Sequence, residues 1–289
     1  MQPYRVIDRD SGLESHDDAM RQMETRKLQA KLLSMLKQFH EVCVENNLVY
    51  YMAGGTMLGA VRHKGFIPWD DDVDVVMPRD DYDSFKQIAN SILPDNLEIK
   101  FYENEQISPM HYMKLIDKNT TLIENKYRNY YEGVYIDVFP LDGAPSDEDL
   151  LIRKQKVVNR YASLILNHCY TDGRHGLRKI YGYLVKCFDL RKLHNKVEKL
   201  ITEYPYKSSD TVGNYLGSYG IREFVPKVYF GHPVIYQFED AELYGPENYD
   251  AYLSAIYGDY MQLPPVEKRI NTHQYFFVDL NLPYRNYKK

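Results

Sequence analysis

The sequence predicts an α+β fold, with a core of strands and helices over residues 1–146 and a helical, then irregular, region over residues 147–289. Three observations predict it. Short β-branched and aromatic runs alternate with helical patterns up to about residue 139, two long helical patterns follow, and the closing third is rich in Tyr, Gly and Pro.

In chain order, Leu28, Leu32, Leu36 and Phe39 recur at three- and four-residue spacing, which predicts a helix over 15–47 that stops at Asn46-Asn47. LVYYMA predicts a strand over 48–53, broken by Gly54-Gly55, and TMLGAVRH a short helix over 56–63 with Thr56 as its cap. VDVVM reads as a strand over 73–77. The next helix, over 80–93, closes before Pro94, because the residue ahead of a proline is driven out of helical backbone. Strands are expected at 97–102, 111–117 and 133–139, the last ending in a turn that contains Pro140. Helices over 147–170 and 176–203 are joined by the turn-rich TDGRHG, and one more is expected over 247–257. The sequence has no internal repeat and no low-complexity segment.

The composition narrows the function classes. With 44% hydrophobic and 27% charged residues, the chain is that of a globular protein. Lys+Arg 36 against Asp+Glu 41 leaves a net charge of -5, which argues against a surface built to hold nucleic-acid phosphates. Cys43, Cys169 and Cys187 are widely spaced, with no CxxC pair, so neither a disulfide framework nor a structural zinc is expected. No apolar run approaches the roughly 20 residues of a membrane span, and the N-terminus has no signal-peptide core. The expectation is a cytoplasmic protein with at most peripheral membrane contact. The 28 tyrosines read mainly as half-buried aromatic surface.

The stretch GFIPWDDDVDVVM concentrates the chemistry. Asp70, Asp71, Asp72 and Asp74 crowd four carboxylates beside the only tryptophan, Trp69, and such repulsion calls for an opposing charge. A calcium loop starting at Asp70 fails, because Val75 stands where the sharp turn needs glycine and Asp81 where the bidentate glutamate belongs. A solvated acidic turn is the remaining plain reading. Against it, Asp72 and Asp74 share one face if the segment is extended, and Val73, Val75 and Val76 anchor it. Two carboxylates fixed on one face suit Mg²⁺. Upstream, Gly54, Gly55 and Thr56 open a short helix whose N–H groups favour phosphate. Asp137, alone in the apolar run YIDVF, is the candidate third carboxylate, since a buried charge needs a partner or a metal. Asp142 in PLDG fits a turn better.

Three ordered stretches, AGGTMLGAVRHKGFIPWDDDVDVVMPRDDYD, YIDVFPLDG and YGDYMQLPPVEKRINTH, resemble the signature of the LicD family, within the polymerase-β-like nucleotidyltransferase superfamily. The resemblance spans roughly residues 30 to 275. It implies a nucleotidyltransferase-like mixed β-sheet core flanked by helices, with the C-terminal region completing the active site. It also implies an activity: transfer of phosphocholine from CDP-choline to a sugar hydroxyl of a surface glycan precursor, such as teichoic acid, capsule or lipopolysaccharide, lipid-linked or free. Asp72 and Asp74 match the family's D-x-D metal ligands, Asp137 its third acidic residue, and Gly54, Gly55 and Thr56 the segment that cradles the donor phosphates.

On this basis Asp72, Asp74 and Asp137 are the expected catalytic and metal-binding residues, for two Mg²⁺ ions, with Asp137 also accepting the acceptor's proton. Arg62 and His63, and the later pair Lys268 and Arg269, are expected on phosphate, and Trp69 near the substrate. An aromatic cage for choline has Trp69, Tyr135, Phe139, Tyr257 and Tyr260 as candidates. The same core would serve ribitol or glycerol phosphate carried on CDP, or transfer of a nucleotide to a small molecule. A non-enzymatic glycan- or choline-binding module is the alternative from another class.

Overall fold

In the computed structural model, which describes residues 4–5, 14–105, 107–124, 131–169, 177–271 and 275–288, the first half of the chain runs β1 (Tyr4–Arg5), α1 (Glu14–Glu45), β2 (Tyr51–Met52), α2 (Gly54–His63), β3 (Asp74–Pro78), α3 (Arg79–Ile92), β4 (Leu97–Lys100), β5 (Met113–Asp117), β6 (Thr121–Ile123) and β7 (Tyr135–Ala144). The second half runs α4 (Glu148–Cys169), α5 (Leu177–Val185), α6 (Leu190–Ile201), β8 (Thr211–Gly213), β9 (Val225–Pro226), β10 (Val234–Phe238), β11 (Ala241–Gly245), α7 (Tyr249–Tyr257) and β12 (Phe277–Asp279). The architecture is α+β. The expected linker TDGRHG, and Thr272 and His273 of the third motif, lie outside the described residues.

The leucine stripe makes α1, with Leu32, Met35, Leu36 and Phe39 buried along one side. Asn47 takes a positive φ of 53° and Leu48 N–H donates to Cys43 O at 2.8 Å, which ends the helix where the Asn pair predicted. A mixed sheet carries the site, in the order β2-β3-β7-β5-β4. Its centre is the parallel pair β3–β7, in which Asp74 lies opposite Asp137; β2 on one side and β5 on the other are antiparallel. Val75, Met77, Ile136 and Val138 are fully buried beneath it, and the main core gathers residues from α1 to Tyr284. A second, smaller core joins α4 to α6 through Leu151, Val158, Ile165, Leu193, Val197 and Ile201.

Four local expectations are corrected. The strand over 133–139 does not turn at Pro140 but continues to Ala144. The proline is tolerated because β5 leaves the ladder at Val138 and β8 joins only at Asp142, so no antiparallel partner faces residue 140. Asp142 is therefore not in a turn. It is buried, and accepts both prongs of Arg79, at 2.6 Å from Nε and 2.7 Å from Nη2. The single helix over 176–203 is two, because Asp189 leaves helical backbone and its carboxylate accepts the Lys192 N–H at 3.1 Å, capping α6. Finally, α2 begins at Gly54, with Ala53 as its cap, so Thr56 sits inside the first turn.

The irregular closing third contains the antiparallel hairpin β10–β11 and the strand β12, which bonds to both β1 and β6. No described helix is long and apolar enough to cross a membrane.

Candidate active site

The site grows from the edge of the β3–β7 pair. Ala53 N–H donates to Asp74 O, and Asp137 N–H to Val73 O, both at 3.0 Å, so β2, β3 and β7 are laced together at the positions of the carboxylates. Thr56 contributes here as well. Its hydroxyl oxygen accepts the Asp74 N–H at 2.9 Å, so it fixes the start of β3 from within α2. Asp72 lies two residues before Asp74, just ahead of the strand.

Glycine is required where α2 meets the acidic loop. Gly54 has a φ of +50°, and a Cβ there would come 3.5 Å from Asp74 Oδ2 and 3.7 Å from the Tyr257 hydroxyl. At Gly55 a Cβ would lie 2.8 Å from Asp70 Oδ2. Gly54 N–H donates to the Tyr252 hydroxyl at 3.1 Å. The positive end of α2 thus faces carboxylates, and its dipole offsets part of their repulsion.

Asp70, Asp71 and Asp72 bring carboxylate oxygens within 4.8 Å of one another. Asp71 is buried and accepts from the Asn271 amide, while the Tyr275 hydroxyl donates to the Asp71 carbonyl at 3.5 Å. These contacts hold the acidic loop from a segment about 200 residues further along the chain.

Asp74 and Asp137 stand beside that group, on adjacent strands. Burial holds the Asp74 carboxyl well above the ordinary carboxylate range, and Asp72 and then Asp137 push it higher. Burial also raises Asp137, opposed by Lys114, with Asp72 adding to the rise. Asp137 Oδ2 accepts from the Tyr112 hydroxyl at 3.3 Å, whereas Oδ1 is buried with no hydrogen-bond partner among the described residues. A buried carboxylate oxygen left over, among neighbouring carboxylates, is the donor set that fits a hard divalent cation. Asp74 and Asp137, in register on adjacent strands, could share such a cation with Asp72, although the described carboxylates within 4.8 Å of one another are Asp70, Asp71 and Asp72.

The expected phosphate ligands form a second cluster. Arg62 and His63 end α2, and the Arg62 guanidinium donates to Tyr260 O at 2.7 Å. Arg269 lies 5.7 Å from the Trp69 ring centroid and donates to Pro264 O at 2.8 Å, while the His63 ring meets Trp69 edge-on at 6.2 Å. Burial lowers the Arg62 pKa, and the positive charge of Arg269 lowers it further. Burial and Arg62 lower His63 as well, which leaves it neutral near pH 7. Arg62, His63, Trp69 and Arg269 are therefore one patch, with Lys268 exposed beside it.

The other cage candidates differ in what they already hold. The Tyr135 ring lies 3.3 Å from the Lys114 ammonium, Phe139 packs 4.3 Å from Tyr112, and the Tyr260 hydroxyl donates to Asp250 at 2.6 Å. Tyr257 stands close enough to feel the charge of Asp74 and is paired edge-on with Tyr219 at 4.9 Å, while the Tyr135 hydroxyl donates to Glu124.

Comparison with known proteins follows this geometry. The family described as LicD/FKTN/FKRP, nucleotidyltransferase domain, matches residues 47–170, the span that contains α2, β3 and β7. The lipopolysaccharide cholinephosphotransferase LicD of Haemophilus influenzae is 30% identical over 260 residues, 88% of this chain and 97% of that one. The chain belongs to the LicD family. As a LicD-family protein it is a transferase. An uncharacterized protein of Rickettsia typhi is also similar, 30% identical over 47% of this chain and 42% of its own. Mannosyltransferase regulator 4 of Saccharomyces cerevisiae is 26% identical over 40% of this chain and 9% of its own.

Several residues of this LicD-family site escape sequence reasoning. Lys114, directly opposite Asp137 on β5, is buried and donates to Glu132 at 2.8 Å, with Glu124 at 3.7 Å. A lone lysine in the apolar run YMKLID carried the same signal as the lone aspartate in YIDVF. Glu223, which burial pushes up to about 7, adds to the repulsion on Asp74, and no pattern in the sequence marks it.

Proposed function

We propose that this transferase moves phosphocholine from CDP-choline to a sugar hydroxyl of a cell-surface glycan precursor, in a Mg²⁺-dependent reaction on the cytoplasmic side of the membrane. The observation that carries the reading is the pairing of Asp74 with Asp137 in register on adjacent strands, next to Asp72, with Asp137 Oδ1 buried and unsatisfied. Near-full-length similarity to a cholinephosphotransferase supports the transferred group.

Mg²⁺ bound by Asp72, Asp74 and Asp137 would supply positive charge against the donor pyrophosphate. The protein's own part is orientation and proton transfer. Asp137 accepts the proton of the attacking sugar hydroxyl. Arg62 and Arg269 bind donor phosphate oxygens, Lys268 adds charge at the rim, and neutral His63 donates an N–H rather than a full charge. The choline methyls pack on the faces of the Tyr219–Tyr257 pair, beside Glu223. The phosphocholine–CMP bond breaks as the sugar oxygen–phosphorus bond forms, and CMP leaves.

The test is calorimetric titration of CDP-choline, CDP-ribitol and CDP-glycerol with and without Mg²⁺, on the native chain and on Asp72→Asn. Mg²⁺-dependent binding of CDP-choline in preference to the others, lost in Asp72→Asn, is expected. A preference for another CDP-alditol keeps the chemistry and replaces the group. Absence of metal-dependent binding of any of them refutes the assignment of the three aspartates.

A further inference from the structure

Helix α5 is amphipathic in the wrong sense for a helix that faces water. Ile180, Tyr183 and Leu184 fall at i, i+3 and i+4, so they share one face. They are 57%, 62% and 61% exposed, while Val185, on the other side, is 1% exposed and anchors the helix inward. Phe188, just past the helix end, is 53% exposed and extends the same apolar run. A surface helix normally turns its apolar stripe to the core. Five large apolar side chains left in solvent within nine residues, Tyr181 on the helix flank among them, form the kind of patch that marks an interaction surface.

The charge around this patch says what it fits. Residues 177–199 hold seven Lys or Arg and two acidic residues, in a chain whose net charge is -5. Lys186 and Lys192 are exposed, and Lys196 follows on the outer side of α6, while Arg191 is turned to the segment after β4, where it donates to Glu103 O at 3.2 Å and lies 5.7 Å from the Tyr102 ring centroid. Of the two acids, Asp189 is occupied in capping α6 and Glu198 is bonded to His111 and Arg79. A symmetric contact with a second copy would bring two basic-rimmed faces together, which is repulsive. Aromatic and aliphatic side chains that penetrate to the acyl boundary, ringed by basic groups at the headgroup level, match an anionic bilayer surface.

We propose that α5 and the turn to Phe188 are a peripheral membrane-docking element, with Ile180, Tyr183, Leu184 and Phe188 inserted at the interface and Lys186 and Lys192 on anionic headgroups. The proposal is independent of the chemistry of the active site. It fixes the enzyme on the surface where a lipid-linked acceptor would be presented.

The test is sedimentation of the full chain with vesicles of phosphatidylcholine containing a third phosphatidylglycerol, and with pure phosphatidylcholine. Binding to the anionic vesicles alone, weakened by salt, is expected. Lys186→Gln and Lys192→Gln should each lower the partition coefficient roughly fivefold, and Leu184→Ser and Phe188→Ser each about tenfold or more. All four residues are exposed, so the melting temperature should not move, and circular dichroism confirms that. Failure to bind anionic vesicles, or binding that Leu184→Ser and Phe188→Ser leave intact, overturns the proposal. So does light scattering that shows a dimer dissociated by those same substitutions, because the face is then a contact between copies.

Discussion

Replacing Arg79 with Met tests how β3 and β7 are kept in register. Arg79 opens α3 directly after β3, and its guanidinium holds Asp142, five residues beyond Asp137 on β7. The two side chains are 10% and 2% exposed, and a third bond runs from Arg79 to Glu198 at 3.1 Å. Removing one partner of a buried pair leaves an uncompensated charge and costs about 3–5 kcal/mol. At roughly 2–4 °C per kcal/mol for a chain of about this size, Arg79→Met should lower the melting temperature by roughly 6–20 °C. Arg79→Met combined with Asp142→Leu removes the stranded carboxylate and should recover most of that loss. The loss should also depend on pH in a definite direction. Burial already raises the Asp142 carboxyl to about 6 with the arginine present, and without it the value goes higher. A carboxyl whose folded pKa lies above its unfolded one binds the extra proton in the folded state, so stability falls as pH rises through that folded value. The gap between variant and native protein should therefore widen from pH 5 to pH 8. Thermal denaturation followed by circular dichroism reads all three effects. A single variant within 1 kcal/mol of the native protein, or a double variant no more stable than the single, would refute the clamp.

Three further outcomes follow from the site. Asp137→Asn should lower turnover by at least about a hundredfold in the transfer assay while raising the cation-free melting temperature, since it removes a buried charge that its carboxylate neighbours repel; a stability loss instead would mean the charge is structural. The folded-state pKa values of Asp74 and Asp137 are both raised, so cation-free protein should lose stability as pH climbs from about 4 through neutrality. Mg²⁺ at a hundred times its Kd should restore about 2.7 kcal/mol, read by scanning calorimetry at pH 7.5, and no shift with Mg²⁺ would argue against a cation there. Gly55→Ala places a methyl 2.8 Å from Asp70 Oδ2, so Mg²⁺ and donor binding should weaken several-fold by calorimetry with the fold retained.

The parts of the fold that the sequence made legible are those in which side-chain period and local punctuation agree. The α1 stripe with its Asn stop, and the valines of β3, are of that kind. Pro140 misled because proline is a turn signal by itself, and only the gap between two neighbouring strands lets a strand run through it. Asp189 misled in the other direction, since a single capping carboxylate splits a pattern that is otherwise continuously helical. At the site, Asp72, Asp74 and Asp137 were visible because charge in an apolar run is costly and so carries information. Thr56 was visible as a residue but not in its role, which depends on a backbone N–H 18 positions away. Glu223, Tyr219 and Asn271 come from segments without periodicity, brought in only by tertiary packing.

The bond from Asn271 to Asp71 has a consequence for synthesis. About 200 residues separate the two, and at 5–20 residues per second the ribosome takes roughly 10–40 s to make that interval. Through that time the acidic loop has the bonds that Gln29 and Thr56 give its ends, but not those that hold Asp71. A nascent chain interrupted before Asn271 would carry every aspartate of the site and still lack the bond to the Asp71 carboxylate. Competence to bind a cation tightly should therefore be acquired late, close to release, rather than when the three aspartates emerge.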